Sequence, residues 1–445
     1  MIDIYQSLQE TGRVNAGTTD NPLQADTAPR ASSLWRDRNF VTFWSGQAVS
    51  QLGAQLGQLA FPVLAVTLLG ASEFEVGALN AAGLAAFLLI GLPAGAWVDR
   101  WLKRRTMIVA DLVRTAAMAT VPILWWAGVL QIWHLYAVAA VVGAATVFFD
   151  VSYQSYVPVL VDAAKVPEAN SKLEATSQIA RIGGPAAGGG LLTIVSAPVL
   201  FAGESIGYLL SAIFLLRTRD AERPAPANDR QPLASEIKEG LVFVGRHPLI
   251  SRIVACTGGV NFFTTIAFTL MPVLVLRELE LGPEGMGLIM AVGAVGGLIG
   301  AVAAPRLAAW IGEGTVIPVA SMISSVFLLL VPLCVLAPER WVSLVMLIVS
   351  EFGFAFGVLV YNIMQLSMRQ RVCPPRLLGR MNASIRFVVW GVMPIAALAS
   401  GLLAENLGLV PTLWIGLGGS VVFVAPVLFS PLWGMRRLPD EVHGA

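Results

Sequence analysis

Long apolar stretches separated by short polar breaks run along the chain from residue 40 onwards. Each is roughly 20 residues or more, enough for a helix to cross a hydrocarbon core about 30 Å thick. The pattern predicts twelve spans, at 40–69, 75–98, 106–129, 134–161, 171–196, 198–217, 249–277, 285–311, 315–336, 341–368, 380–404 and 409–432. A transmembrane β-barrel needs short alternating segments, and the chain has none. Residues 1–34 are rich in Ser, Thr, Pro, Asp and Asn without an apolar run, which predicts a disordered tail and neither a signal peptide nor a helix.

Composition sharpens this reading. With 56% hydrophobic and 13% charged residues and a mean hydropathy of +0.72, the chain needs lipid as its solvent. The net charge of +1 says little, since the placement of Lys and Arg is what orients a membrane protein. Of the 29 Lys+Arg, Arg277 and Arg340 alone fall in loops on one side, and Arg114, Arg181 and Arg386 fall within spans. The rest lie on the side of the two termini, which predicts that both termini are cytosolic. Cys256, Cys334 and Cys373 are scattered singly and are expected only to pack.

Two halves are legible. Residues 218–248 turn polar and Pro-rich, as in Arg219-Asp220-Ala221-Glu222-Arg223-Pro224, and read as a cytosolic linker. On either side, Phe61-Pro62-Val63-Leu64 recurs as Met271-Pro272-Val273-Leu274, and Val76-Gly77-Ala78-Leu79 aligns with Met286-Gly287-Leu288-Ile289, both at an offset of about 210 residues. The expected organisation is a tail at 1–34, a six-helix bundle at 35–217, the linker, a second six-helix bundle at 249–435 and a short tail at 436–445. Parallel halves of this kind belong to transporters that rock two bundles about a site near the bilayer midplane.

The most specific local pattern joins spans 2 and 3, where Gly95-Ala96-Trp97-Val98-Asp99-Arg100-Trp101-Leu102-Lys103-Arg104-Arg105 ends one helix and begins the next. A plain basic loop needs no Asp at that position. The segment resembles the inner-loop signature of the major facilitator superfamily. Trp44-Ser45-Gly46-Gln47, Phe148-Phe149-Asp150-Val151-Ser152-Tyr153-Gln154 and Leu378-Gly379-Arg380-Met381-Asn382-Ala383-Ser384-Ile385-Arg386 look like its bacterial drug:proton antiporter branch, the macrolide-efflux and enterobactin-exporter types. The resemblance covers residues 34–435. It implies an all-α membrane protein with twelve transmembrane helices in two pseudo-symmetric six-helix halves, the major facilitator fold. It also implies proton-coupled export of small amphipathic molecules by alternating access in a bacterial cytoplasmic membrane.

On that resemblance the gating motif is Gly95, Asp99, Arg100, Arg104, Arg105, Asp111 and Arg114, with Arg380 and Arg386 of span 11 as its partners. In span 5, Gly184, Pro185, Gly188 and Gly189 match the core of the motif associated with antiporters, although Ala180 and Thr176 stand where the family has earlier glycines. A generic small-residue packing face is the plainer reading of the same residues. The Arg that many members carry in span 4 is missing, and Asp150 is the ionisable group there.

Acids and bases inside spans cost roughly 3 kcal/mol or more at the bilayer centre unless they face protein or water. Counting from the span ends puts Asp150 in span 4 and Arg181 in span 5 at one depth, so an ion pair between them is expected, either a static bridge or one that opens when Asp150 takes a proton. Glu204 and Glu351 have no basic neighbour at helical spacing and are suited either to carry a proton or to hydrogen-bond as neutral groups. Gln47, Gln51, Gln55 and Gln58 form one stripe on span 1 that is expected to line a cavity or to bond between helices. Tyr153, Gln154, Asn261, Phe262, Tyr361, Asn362, Gln365 and Trp390 complete the expected substrate cavity.

No phosphate loop, zinc-ligand spacing, nucleophile elbow or cofactor fingerprint occurs, so no enzymatic activity, cofactor or metal is expected. The expected partners are an amphipathic small molecule, protons and the lipid bilayer, with no nucleic acid, and the expected state is a monomer. An importer or facilitator on the same fold and a non-transporting sensor or assembly protein remain the alternatives.

Overall fold

The computed structural model describes residues 34–162, 165–219, 222, 233–374 and 377–437. The expected tail up to residue 33, linker residues 220–221 and 223–232, and residues 438–445 lie outside them. Six helices form the first half: α1 (Arg38–Val63), α2 (Glu73–Arg100), α3 (Lys103–Trp126), α4 (Ile132–Leu160), α5 (Val166–Leu192) and α6 (Ala197–Arg217). A helix between the halves, α7 (Leu233–Arg246), precedes α8 (Pro248–Val273), α9 (Gly282–Ile311), α10 (Val316–Leu328), α11 (Leu330–Leu333), α12 (Arg340–Val372), α13 (Leu378–Gly391), α14 (Met393–Leu407), α15 (Leu409–Val422) and α16 (Ala425–Leu428).

Three spans of the second half are interrupted. The breaks between α10 and α11, α13 and α14, and α15 and α16 each come within three residues of Pro332, Pro394 or Pro426, whose missing N–H removes a helical bond. Local chemistry starts the helices. Asp37 accepts from the backbone N–H of Asn39 and Phe40 at 2.9 and 3.2 Å, Ser72 and Glu75 form a reciprocal cap on α2, and His247 Nδ1 accepts from Leu249 and Ile250 ahead of Pro248.

The internal repeat extends to backbone detail. After Pro62, α1 opens into a wider turn over Leu64–Leu68, and after Pro272, α8 does the same over Leu274–Glu278. Ala71 N–H then reaches Ala65 O at 2.9 Å and Leu281 N–H reaches Val275 O at 2.9 Å. Each turn closes on a left-handed residue, Gly70 at φ +62° and Glu280 at φ +48°, so the second copy holds a non-glycine in a conformation that favours glycine.

Eleven described helices are long and apolar enough to cross a membrane, counting α10 to α16 by their joined spans. The twelfth, α5, has the length at 27 residues but carries Glu168, Lys172, Glu174 and Arg181 along its first two-thirds. Such charge is tolerable only where that face meets protein or water. With twelve crossings the chain enters and leaves at one end, the terminal end. The loops 69–72, 127–131, 193–196, 279–281 and 337–339 lie at the opposite, far end. The linker contains α7, which packs on α8 and α13 and buries Val244.

Candidate functional site

The halves close on each other at the far end. There α5 packs against α9, and the start of α2 packs against α14. Small residues make this possible: a methyl on Gly77 would stand 2.7 Å from Ala397 O, and one on Gly189 would stand 2.8 Å from Pro283 O. Polar bonds reinforce the seam. Arg277 donates to Glu73 Oε1 at 3.1 Å and to the carbonyl of Ala71, and Asn80 Nδ2 donates to Thr269 Oγ1 at 2.7 Å. At mid-depth the edge of Phe87 meets Trp390 at 5.5 Å between ring centres.

Nearer the terminal end polar and charged residues of both halves are exposed, and we read the space between them as a cleft. Asp150, Gln154 and Arg181 from the first half and Asn362, Arg386 and Trp390 from the second are exposed. Asp150 stands ten residues before Leu160, the terminal end of α4, or about 15 Å into the helix. A charge exposed at that depth must face water, because lipid would cost it several kcal/mol. Arg114 behind it and Arg386 of the other half are within electrostatic reach of Asp150, and neither forms an ion pair with it. The Arg386 guanidinium lies 5.2 Å from the Trp390 ring centre, so cation, carboxylate and aromatic face occupy one region.

Behind Asp150 lies a buried network of α3, α4 and α6. Asp111 is paired with Arg114 one turn on, and the Arg114 guanidinium lies over Phe149 at 4.1 Å and over Tyr208 at 4.3 Å. Tyr208 donates to Glu204 Oε1 at 2.8 Å. Glu204 is 3% exposed, its Oε2 has no hydrogen-bond partner, and it is held against the glycine face of α1 at Gly57. Glu351 on α12 is half-buried against Gly293 of α9 and has no hydrogen bond or ion pair among the described residues.

The expected Asp150–Arg181 pair is not formed. The two helices touch only slightly: α4 packs chiefly on α2 and α3, while α5 packs chiefly on α1 and α9. The amide stripe of α1 is also divided. Gln47 and Gln55 are buried, with Gln55 under Gly184 of α5, while Gln51 is half-buried and Gln58 exposed. This follows from α1 being flanked by α5 on one side and α6 on the other. Tyr361 and Gln365 turn into the core of the second half, Tyr361 bonding Thr257 Oγ1 at 2.7 Å, and only Asn362 between them faces out. Tyr153 stacks with Phe43 at 6.0 Å. Asn261 is half-buried, and Phe262 lines a separate apolar groove between α8, α13 and α15.

Gly184 and Gly188 pack on α1, and Gly189 with the Pro185 carbonyl packs on Gly287 of α9. The Gly/Pro segment therefore joins α5 to its own half and to the other half at once. In the loop motif, Arg104 donates to the carbonyls of Leu215 and Leu216 at 2.8 and 2.7 Å, closing the end of α6, and Arg105 is exposed. Asp111 and Arg114 are buried and paired with each other. The side chains of Asp99, Arg100 and Arg380, and the surroundings of Gly95, lie outside the described structure. Sequence reasoning missed Glu73, Asn80, Thr269 and Arg277 as seam residues, and it missed Glu222. The Glu222 carboxylate caps α3 by accepting from Lys103 N–H at 2.7 Å and Arg104 N–H at 3.2 Å, more than a hundred positions away.

Comparison with known proteins agrees with this architecture. Residues 43–398 match the family model described as Major Facilitator Superfamily. The chain is 25% identical over 362 residues to the multidrug efflux pump Tap of Mycolicibacterium fortuitum, covering 79% of this chain and 85% of that one. It is 21% identical over 403 residues to macrolide efflux protein A of Streptococcus pyogenes, covering 90% and 97%. Among solved structures, a bacterial homologue of the iron transporter ferroportin in an inward-facing state superposes with a TM-score of 0.68 at 15% identity, covering 88% of this chain and 98% of that one.

Proposed function

This chain belongs to the major facilitator superfamily, and from that membership we propose that it is a secondary transporter exporting small amphipathic molecules from the bacterial cytosol in exchange for protons. The observation that carries the reading is a far end closed by backbone contact between the halves, together with exposed Asp150 of one half within electrostatic reach of exposed Arg386 of the other. With the termini in the cytosol, the cleft opens inward, where an exported compound is loaded. Closing it and opening the far end would complete one alternating-access cycle, and each state would need its own set of contacts between the halves.

A proton on Asp150 removes its attraction to Arg386 and with it a force drawing the halves together at the terminal end. Transport coupled to the proton gradient requires that protonation favour one state over the other, and Asp150 is positioned for that bias. Glu204 and Glu351 are the alternative carriers. In this reading Asp99 and Arg380 act at the inner gate, and Arg181 adds positive potential to the cleft without binding Asp150.

Support for the substrate class comes from two sides. The relatives that match over most of the chain are named for multidrug and macrolide efflux. Trp390 with Phe87 supplies an aromatic face between the halves, which can hold apolar bodies of varied shape. The test is accumulation of a panel of antibiotics, dyes and siderophores in cells with and without the protein, each with and without a proton uncoupler. A compound retained more on deletion and also on uncoupling is the expected result. A compound that enters faster when the protein is present would overturn export in favour of import.

A further inference from the structure

A second cavity opens at the terminal end. It lies in the first half, where the start of α1, the start of α3 and the end of α6 meet, and its volume is about 1010 Å³. Arg38, Arg104, Arg217 and Arg219 line it, and its apolar flank is Phe214 and Leu216. Asp37 is the one carboxylate in the lining, and its Oδ1 is already committed to capping α1.

Cations at this end are expected from topology alone, and isolated ones simply extend into water. Topology does not require three of them to converge without partners. Arg104 is held by the carbonyls at the end of α6, but Arg38, Arg217 and Arg219 are exposed and none forms an ion pair with a described residue. A backbone bond fixes their geometry, since Arg219 N–H donates to Asn39 Oδ1 at 3.2 Å and ties the end of α6 to the start of α1. Guanidinium groups suit phosphate because their planar forks bind it in a bidentate manner.

The cavity stands where three membrane-length helices end, at the depth of lipid headgroups, and its apolar flank leads towards the span of α6. We propose that it binds the phosphate of an anionic phospholipid, with the acyl chains following Phe214 and Leu216 into the bilayer. The site is separate from the substrate cleft, and its occupancy does not depend on the transport reading. A lipid held there would bridge α1, α3 and α6.

The full-length protein is purified in detergent and given phosphatidylglycerol or phosphatidylcholine of equal chain length, and retained lipid is counted by native mass spectrometry. Thermal unfolding is followed with dioctanoyl-phosphatidylglycerol, dioctanoyl-phosphatidylcholine or inorganic phosphate. Phosphatidylglycerol is expected to be retained about tenfold better than phosphatidylcholine, a difference of about 1.4 kcal/mol, and it alone should raise the unfolding temperature. The triple variant Arg38→Gln, Arg217→Gln, Arg219→Gln should lose the preference, and a control pair in the other half, Arg306→Gln with Arg437→Gln, should keep it. If the triple variant does not fold, Arg38→Gln and Arg219→Gln singly carry the test, each weakening the preference severalfold. Equal retention of the two lipids, an unchanged preference in the variants, or loss of preference in the control pair would each overturn the proposal. Equal stabilisation by inorganic phosphate would reassign the cavity to free phosphate.

Discussion

Arg277, on the turn that ends α8, donates to Glu73 Oε1 at 3.1 Å and so ties the start of α2 to the opposite half of the molecule. The two side chains are about one-third exposed, where a single ion pair contributes roughly 0–1 kcal/mol. The pair is therefore a bias on the far-end seam and not its main bond.

Removing that bias should be visible as a change of population. Glu73→Gln or Arg277→Gln is expected to raise the far-end-open fraction by up to about fivefold, in line with the upper limit for such a pair. Spin-label distances across the far end report it directly. The exchanged pair Glu73→Arg with Arg277→Glu should recover part of the wild-type distribution, and identical distributions in all variants would show that the pair has no role in the seam.

A stronger effect is expected where backbones touch. Any side chain at Gly189 must displace Pro283 O, only 2.8 Å from the first added carbon. Gly189→Val should insert and fold, because packing within each half is kept, yet the far end should fail to close. Transport should fall by at least about tenfold, a loss of roughly 1.4 kcal/mol or more in the closing equilibrium. Cysteines placed at the far-end seam should label rapidly from that side.

Asp150 and Arg181 separate two accounts of coupling. Asp150→Asn should reduce gradient-driven flux to the passive level while substrate binding persists. Arg181→Ala should leave coupling in place, because Arg181 forms no ion pair with Asp150 and their helices touch only slightly. Substrate-induced proton release in proteoliposomes checks both. Full coupling in Asp150→Asn moves the proton to Glu204 or Glu351, and loss of coupling in Arg181→Ala contradicts the arrangement of α4 and α5.

The Asp111–Arg114 pair should matter for folding before it matters for transport. Arg114→Met leaves a carboxylate buried without its cation, a cost of about 3–5 kcal/mol. A large drop in folded yield and unfolding temperature is expected. The double variant Asp111→Asn with Arg114→Met should recover most of it, since no uncompensated charge remains. Wild-type stability in the single variant would mean that Asp111 has another partner.

The sequence by itself determined the solvent, the number of crossings and the repeat. Those follow from local quantities: the length of an apolar run against the thickness of a bilayer, the turns around Pro62 and Pro272, and the recurrence of both at one offset. It also marked the Gly/Pro face of α5 and the buried acids, because small residues and charges are rare enough in spans to be noticed singly. Tertiary structure decided which of these groups meet. Asp150 lies within electrostatic reach of Arg114 and of Arg386, more than two hundred residues away, and forms no ion pair with Arg181 on the next helix, because α5 packs chiefly on α1 and α9. Gln55 went under Gly184 and Tyr361 into the second-half core for the same reason: helical spacing assigns a residue to a face, and only the packed neighbours decide whether that face meets water, lipid or another helix.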